Sequence, residues 1–251
     1  MEPAAQQAVP AVPCGLLVVD KPLKWTSMDV VAKVRSAVRH GLPPEGRYVA
    51  GRRRKIKVGH AGTLDPLATG VVIVCVGKAT KIVEKLMGTA KAYEATIDLS
   101  AFTASDDAEH DRQEVAVAVP PTRQQIDAAL RQQVGLVAQV PPIFSAVHVE
   151  GQRAYKAARA GQAVELKAKT VRIDAIDVLR YTWPELEVRI RCGRGTYIRS
   201  IARDLGQALG TGGYLTQLRR TAVGSYTVEQ ALEIDRFEQP VRQEDLLPLP
   251  E

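Results

Sequence analysis

The chain has 251 residues, of which 45% are hydrophobic and 25% are charged. These values are ordinary for globular proteins and exclude a wholly disordered chain, a collagen-like chain and a membrane bundle. The net charge is +6, and because the residues from Glu229 onward carry −5, the preceding residues carry +11. A polyanionic partner such as nucleic acid therefore fits the composition, although a basic chain can also simply have a solvated, self-repelling surface.

The start of the chain and its cysteines favour a reducing compartment. Residues 1–14 contain no basic residue, so they are predicted to be a flexible leader rather than a secretory signal. The cysteines Cys14, Cys75 and Cys192 are far apart, which argues against a disulfide framework and against a zinc site. We expect a cytoplasmic protein, with an organellar location left open, that binds no metal and no membrane.

Sequence patterns predict an irregular mixture of strands and helices. Residues 15–20 form a short apolar run typical of a buried strand, and Thr26 with Asp29 makes a capping box that begins a helix ending near Gly41. Further strands are expected at residues 71–76, 93–99, 143–149, 164–179 and 186–192, and further helices at 80–87, from 122 to about 135, at 153–160 and at 197–209. The absence of a regular strand–helix rhythm favours an α+β fold over a doubly wound sheet.

Residues 42–57 break this periodicity and contain a dense cluster of arginines and lysines. Such a cluster is either a solvated mobile loop or a contact for RNA phosphates, and the sequence leaves both interpretations open.

The segment most informative about chemistry is residues 59–70, GHAGTLDPLATG. Three glycines, a proline and a single acid predict a tailored loop, in which Pro66 holds Asp65 in an extended conformation. An ordinary alternative is that Asp65 caps a helical turn that begins with Pro66. The segment has no second carboxylate, metal-ligand set or phosphate-binding loop nearby that would indicate a hydrolase or a nucleoside triphosphatase.

This segment resembles the signature of the pseudouridine synthases, specifically the TruB-type branch that modifies uridine 55 in the T loop of transfer RNA. Five further segments occur in the family's order and extend the resemblance over about residues 15–228: LLVVDKP, KAYEA, VPPIFSAVHVEGQRAY, GRGTYIRSIARDLG and LTQLRRTAVG. The resemblance implies the pseudouridine synthase fold, which is α+β with a mixed, mainly antiparallel central sheet flanked by helices and loops. It also implies an isomerase that flips a uridine of the T arm and converts it to pseudouridine without a cofactor.

The resemblance assigns the catalytic residues. Asp65 corresponds to the nucleophile, attacking either the sugar or the base. Arg199 corresponds to the arginine that pairs with this carboxylate and lowers its pKa, so Arg199→Ala is expected to reduce turnover more than stability. Tyr93 corresponds to the tyrosine that stacks on the target base and can assist proton transfer, although it would also suit a packed strand. Arg203, one helical turn after Arg199, is expected only to extend a basic helix face.

Other residues are assigned to substrate binding by the same resemblance. Tyr197 and Leu218 correspond to residues lining the uracil pocket, although both would also suit an apolar core. His60 corresponds to the residue that fills the space left by the flipped nucleotide, with a structural loop role as the alternative. Lys21, in the DKP motif, is expected either to contact the site or to support the loop.

The expected organisation is a catalytic domain at residues 15–235 followed by an acidic tail at 236–251. Many bacterial members carry an additional RNA-binding PUA domain, but only 27 residues follow Gly224, fewer than the roughly 40 that a self-stabilised domain needs. We therefore expect no full PUA domain, and hypothesise that Arg52, Arg53 and Arg54 supply replacement contacts to the RNA backbone.

The expected partner is transfer RNA, bound through its T arm by a monomer with no obligate protein partner. The alternatives are a guide-RNA-dependent pseudouridine synthase, a non-catalytic tRNA-binding or tRNA-folding module, and a basic globular domain with no RNA role.

Overall fold

The computed structural model describes residues 10–49, 51–145 and 166–250, and the backbone of two short strands at 148–149 and 152–153. The chain forms two compact units. Unit 1 comprises Met1–Met87 and Val223–Glu251, and unit 2 comprises Gly88–Ala222. This division differs from the expected continuous domain at residues 15–235, because the last part of the chain returns to the N-terminal strand instead of trailing away from the fold.

The elements of the described residues, in chain order, are as follows: β1 (Gly15–Lys21), α1 (Ser27–Gly41), β2 (Tyr48–Val49), β3 (Arg52–Arg53), β4 (Val58–His60), β5 (Ala68–Val76), α2 (Val83–Met87), β6 (Lys91–Asp98), β7 (Ala101–Phe102), β8 (Gln113–Glu114), α3 (Arg123–Gln132), β9 (Gly135–Gln139), β10 (His148–Val149), β11 (Gln152–Arg153), β12 (Lys169–Thr182), β13 (Glu185–Cys192), α4 (Ile198–Leu209), β14 (Tyr214–Val223) and β15 (Tyr226–Thr227).

The core of unit 1 is built on β5, which is almost entirely buried. It pairs antiparallel with β1 along one edge, with Gly15 opposite Val76 and Lys21 opposite Gly70. The short strand β4 pairs antiparallel with the last residues of β5 along the other edge. Branched apolar residues fill both strands and suit a sheet that is covered on both faces.

Helix α1 begins at the predicted capping box and covers this sheet. The Asp29 backbone N–H donates to Thr26 Oγ1 (3.1 Å), and the Thr26 backbone N–H donates to Asp29 Oδ2 (2.8 Å). Hydrogen bonds from the Thr26 side chain and backbone lower the pKa of Asp29. The apolar stripe that includes Val30, Val34 and Val38 is fully buried, and α1 contacts β1, β4 and β5. The predicted helix is therefore confirmed.

The segment predicted as an acidic tail, residues 236–251, is packed into unit 1 as far as the structure describes it. Phe237 and Val241 are buried, and the Val241 N–H donates to the Ala37 carbonyl (3.1 Å). Leu247 exchanges two backbone hydrogen bonds of 2.9 Å with Leu16 of β1. The prediction of a tail is corrected because apolar residues placed between the acids bury against β1 and α1.

The predicted flexible leader, residues 1–14, lies partly outside the described residues, and the part that is described is held in place. Cys14 exchanges two hydrogen bonds with the side chain of Gln243, of 2.9 and 3.0 Å. Pro13 is buried, and the Pro10 carbonyl accepts a hydrogen bond from the Arg54 guanidinium. The leader prediction is therefore wrong for residues 10–14.

Unit 2 contains strands in the order β14–β6–β13–β12–β9. The pairings of β6 with β13, of β13 with β12 and of β12 with β9 are all antiparallel. Alternate residues of β13, from Leu186 to Cys192, are buried, as their spacing predicted, and α3 packs against α4. This arrangement confirms the α+β class with a mainly antiparallel sheet.

Two predicted elements fall partly on residues that the structure does not describe. Of the predicted strand at 143–149, residues 148–149 form β10, and residues 146–147 lie outside the described part. The predicted helix at 153–160 does not begin at Arg153, which pairs with His148 in a two-stranded ladder, and its remaining residues lie outside the described part. In the portion of the chain that is described, no helix is long and apolar enough to span a bilayer.

Candidate active site

Asp65 lies in a loop between β4 and β5 of unit 1, and its side chain is partly exposed. Gly62 in the loop and Gly70, the third residue of β5, have φ values of 107° and 104°, in a region that favours glycine over residues with a Cβ. The chain turns at Pro66 and enters β5 at Ala68. The Ala68 N–H donates to the Asp65 carbonyl (3.1 Å), so Asp65 begins a single turn, and the chain then continues as β5 and not as a helix. The prediction of a tailored loop is confirmed.

The buried ammonium group of Lys21 supports this loop. Lys21 is 0% exposed, and its Nζ donates to the carbonyls of Trp25 (2.7 Å), Pro22 (3.0 Å) and Pro66 (3.3 Å). The Lys24 N–H also donates to the Pro66 carbonyl (2.8 Å). A buried charge is tolerated when several acceptors surround it. Of the two roles considered for Lys21, these contacts support the one in which it holds the residue after Asp65.

Ser27 holds the other side of Asp65, and the sequence reasoning missed it. Ser27 is buried at the first position of α1. The Leu64 N–H donates to Ser27 Oγ (2.9 Å), and Ser27 Oγ lies 3.2 Å from the Leu64 carbonyl, to which it donates. The residues before and after Asp65 are thus both attached to the β1–α1 connection. The only sequence signal was the position of Ser27 next to the capping residue, which points to the helix and not to the loop.

We expect Ser27→Ala to destabilise unit 1 by about 2 kcal/mol, because both backbone groups of buried Leu64 lose their partner. Turnover should also fall, because the residue carrying the nucleophile becomes less well positioned. Urea unfolding and single-turnover kinetics measure the two effects. The matched control is Ser36→Ala, a half-buried serine on the same helix, and an equal effect of both variants would contradict the positioning role.

Arg199 of α4 is at the centre of a buried polar cluster in unit 2. Its guanidinium donates to the carbonyls of Ser105 (3.1 Å) and Phe144 (3.0 Å) and lies 3.5 Å from Asp107 Oδ2. The side chains of Arg199 and Asp107 are only 7% and 10% exposed. Arg199 therefore anchors the turn that contains Asp107, a role that was not predicted. Its pairing with Asp65 stays a prediction.

Arg203 does not form the simple basic face that was expected. It lies 3.0 Å from Asp106 Oδ2 and 2.8 Å from Asp204 Oδ1, and it donates to the Val140 carbonyl (2.8 Å). Asp106 is buried, with a left-handed φ of 61°. Burial raises the pKa of Asp106 to about 6, because the cost of desolvation outweighs the opposing charges of Arg203 and Arg199.

This raised pKa makes the stability of unit 2 depend on pH. The folded state holds the Asp106 proton up to about pH 6, whereas the unfolded state releases it near pH 4. Ionisation of Asp106 therefore opposes folding, and the cost grows between these values to about 3 kcal/mol. Asp106→Asn cannot ionise and so avoids this cost. We therefore expect the unfolding free energy of the variant minus that of the parent to increase by up to about 3 kcal/mol between pH 4 and pH 7. A difference that does not change with pH would contradict the assignment.

The remaining predicted site residues are divided between the two units. Tyr93, 8% exposed, lies on β6 opposite Ile190 of β13. Tyr197 precedes α4, and its backbone exchanges hydrogen bonds of 2.8 and 3.1 Å with the Gln139 side chain, which was not predicted. Leu218 lies on β14 and is partly buried. Unit 1 thus carries Asp65, His60 and Lys21, and unit 2 carries Arg199, Tyr93, Tyr197 and Leu218.

The basic segment is more ordered than the loop interpretation implied. Arg52 and Arg53 are exposed on β3, where they pair with Val49 and Tyr48 of β2. Arg54 differs from both, because its guanidinium donates to the carbonyls of Pro10 and Gly46. Arg52 and Arg53 remain available for the predicted RNA contact, whereas Arg54 makes contacts within unit 1. Across residues 10–49, 51–145 and 166–250 no group of three or more His, Cys, Asp or Glu side chains is arranged to hold a metal.

Comparisons with known proteins identify the family. Residues 49–198 match the sequence model of the TruB family pseudouridylate synthase N-terminal domain, and residues 199–247 match that of the tRNA pseudouridylate synthase B C-terminal domain. The chain belongs to the TruB family of pseudouridylate synthases. The second match includes most of the segment that was predicted as a tail, in keeping with its packed structure.

Two relatives illustrate how far the similarity to the TruB family extends. The tRNA pseudouridine synthase B of Phocaeicola vulgatus is 46% identical over 92% of this chain and 94% of its own length. That of Thermobifida fusca is 48% identical over 89% of this chain and 74% of its own length.

Solved structures support the pseudouridine synthase fold. A chain of a Cbf5–Nop10–Gar1 complex matches with a TM-score of 0.63 and 27% identity over 88% of this chain. A chain of an H/ACA RNP bound to a substrate RNA containing 2′-deoxyuridine matches with a TM-score of 0.60 and 26% identity, also over 88%. This TruB-family chain spans only 54% and 51% of the lengths of those two chains.

Proposed function

We propose that this protein isomerises uridine to pseudouridine in the T loop of transfer RNA, with Asp65 as the nucleophile. The observation that carries the proposal is the Asp65 loop, which matches the family signature and is attached on both sides, through Leu64 and Pro66, to the β1–α1 connection. Membership of the TruB family and the 46% identity to a tRNA pseudouridine synthase B support the same conclusion.

The reaction needs no redox chemistry. The bond between uracil N1 and the ribose C1′ breaks, the base turns, and C5 bonds to C1′; C5 loses a proton and N1 gains one. A carboxylate suits this sequence, because it can attack covalently and then leave. Attachment of the neighbouring backbone reduces the freedom of Asp65 before the substrate arrives, which favours a reactive geometry.

Arg199 is proposed to keep Asp65 ionised. A guanidinium within a few ångströms lowers the pKa of a carboxylate by about 1–3. Arg199 is fixed by the Ser105 and Phe144 carbonyls and by Asp107, so its charge is held in place without help from the substrate. Such preorganised charge is more effective than charge on a mobile side chain.

The aromatic residues are proposed to receive the flipped base. Extraction of a nucleotide from its stack costs a few kcal/mol, which contacts with aromatic side chains partly offset. Tyr93 would stack on the base and assist proton transfer, Tyr197 and Leu218 would line the pocket, and His60 would fill the vacated space. The exchange of hydrogen bonds between Gln139 and the Tyr197 backbone fixes the start of α4 beside Arg199.

The protein is proposed to act as a monomer in a reducing compartment such as the cytoplasm. All three cysteines are free, and burial raises the pKa of the Cys75 and Cys192 thiols to about 11. Buried thiols with raised pKa values are poorly reactive, as expected of structural cysteines.

The alternative of a guide-RNA-dependent synthase draws on the similarity to chains from H/ACA complexes. The two functions differ in what the purified protein does alone. We expect it to form pseudouridine in a free tRNA transcript without guide RNA or partner proteins. Activity that appears only after both are added would favour the alternative.

A further inference from the structure

Unit 1 contains a basic cavity of about 670 Å³, a size within the usual range of ligand sites. Arg35 and Arg39 of α1 line one wall, and Lys55, Lys57 and His60 line another. None of the lining residues that the structure describes is acidic. The cavity thus gathers four formal positive charges with no carboxylate among its lining residues.

This cluster is electrostatically unfavourable in the free protein. Arg35 and Arg39 are four residues apart on α1, a spacing at which like charges repel and destabilise a helix. Arg35 Nη2 donates to the Val58 carbonyl (3.2 Å), which holds its guanidinium at the cavity wall. An anion in the cavity would relieve the repulsion between these cations.

Arg39 supplies a second, independent observation. Its Nε atom is shielded from solvent and has no hydrogen-bond partner among the described residues. Buried donors are rarely left unsatisfied, because each one loses its hydration without compensation. A buried, unsatisfied donor marks the Arg39 guanidinium as incompletely paired in the free protein, and guanidinium groups match the geometry of phosphate oxygens.

We propose that this cavity binds backbone phosphates of the RNA substrate; the inference rests on the proposed function and adds Arg35, Arg39, Lys55 and Lys57 as binding residues. In the sequence, exposed Arg52 and Arg53 of β3 closely precede Lys55 and Lys57 of the cavity lining. A row of cations suits a chain of phosphates better than a single small anion.

The test measures the affinity of the full chain for a tRNA transcript at KCl concentrations from about 50 to 300 mM. The first variant, Lys55→Gln/Lys57→Gln, changes two exposed side chains and should leave folding intact. The second, Arg39→Gln, removes the unsatisfied donor. Affinity falls as salt rises, and each lost phosphate contact should make this dependence shallower, reducing the absolute slope of log affinity against log salt by about 0.7–0.9. Near 0.1 M salt, each lost contact should weaken binding about five- to eightfold.

The matched control is Lys33→Gln, which removes one charge from the same helix but does not line the cavity and lies 3.7 Å from Glu238. The control should bind as the parent does, and both cavity variants should have a raised KM with kcat retained at saturating RNA. Unchanged affinity and salt slope in both cavity variants, or an equal loss in the control, would overturn the inference. Failure of the proposed function would be distinguishable, because the parent protein would then make no pseudouridine at any RNA concentration.

Discussion

Asp65→Asn is expected to lower pseudouridine formation by at least about 10⁴-fold, because an amide cannot replace a carboxylate as the nucleophile. Folding should be retained, since Ser27 and Lys21 hold the loop through backbone groups of Leu64 and Pro66. Single-turnover assays on a tRNA transcript measure the loss of product, and thermal unfolding with RNA-binding assays measures what is retained.

This substitution also separates the enzyme from the non-catalytic alternatives. A tRNA-binding or tRNA-folding module predicts no measurable effect of Asp65→Asn, and a basic domain without an RNA role predicts no salt-dependent tRNA binding. Asp127→Asn on α3 is a suitable control, because it makes the same chemical change at a residue paired with Arg123 on the protein surface. Activity at the parental level in Asp65→Asn would contradict the central assignment.

Arg199→Gln is expected to reduce both stability and turnover. Removal of one partner from a buried ion pair typically costs about 3–5 kcal/mol, because the other charge is left uncompensated. The burial of Arg199 beside Asp107 therefore changes the expectation from sequence, in which turnover would fall more than stability. Denaturant unfolding gives the first effect, and turnover per folded molecule gives the second.

Asp107→Asn distinguishes the two roles of Arg199. Loss of Asp107 should destabilise unit 2 while leaving the Arg199 charge in place, so turnover per folded molecule should be largely retained. In Arg199→Gln, by contrast, turnover per folded molecule should fall, because the charge that is proposed to pair with Asp65 is removed. If Asp107→Asn and Arg199→Gln lower turnover per folded molecule equally, or if neither lowers it, the pairing of Arg199 with Asp65 is wrong.

The features of the fold that could be predicted from the sequence are those set by residues close together in the chain. Thr26 with Asp29 and Thr122 with Gln125 each form the capping box that their spacing indicates, because these hydrogen bonds join residues three positions apart. The alternation of β13 likewise identified its buried face. The resemblance located the Asp65 loop because the glycine, proline and acid pattern is contiguous.

The parts that were not predictable are contacts between distant positions. Ser27 contacts Leu64, Arg199 contacts Asp107, and Leu247, near the C-terminus, pairs with Leu16. No local pattern encodes such pairs, because both partners are ordinary residues for their own surroundings. The acidic composition of residues 236–251 indicated a tail, although the apolar residues within it bury against unit 1.

The most direct test of the proposed function is to map pseudouridine by mass spectrometry, after a chemical label selective for pseudouridine, in a tRNA transcript incubated with the purified protein alone. We expect one pseudouridine, in the T loop, and none there when the target uridine is replaced by cytidine or when Asp65→Asn is used. Absence of pseudouridine from the T loop with the parent protein, or product formed only elsewhere in the transcript, would contradict the proposed function.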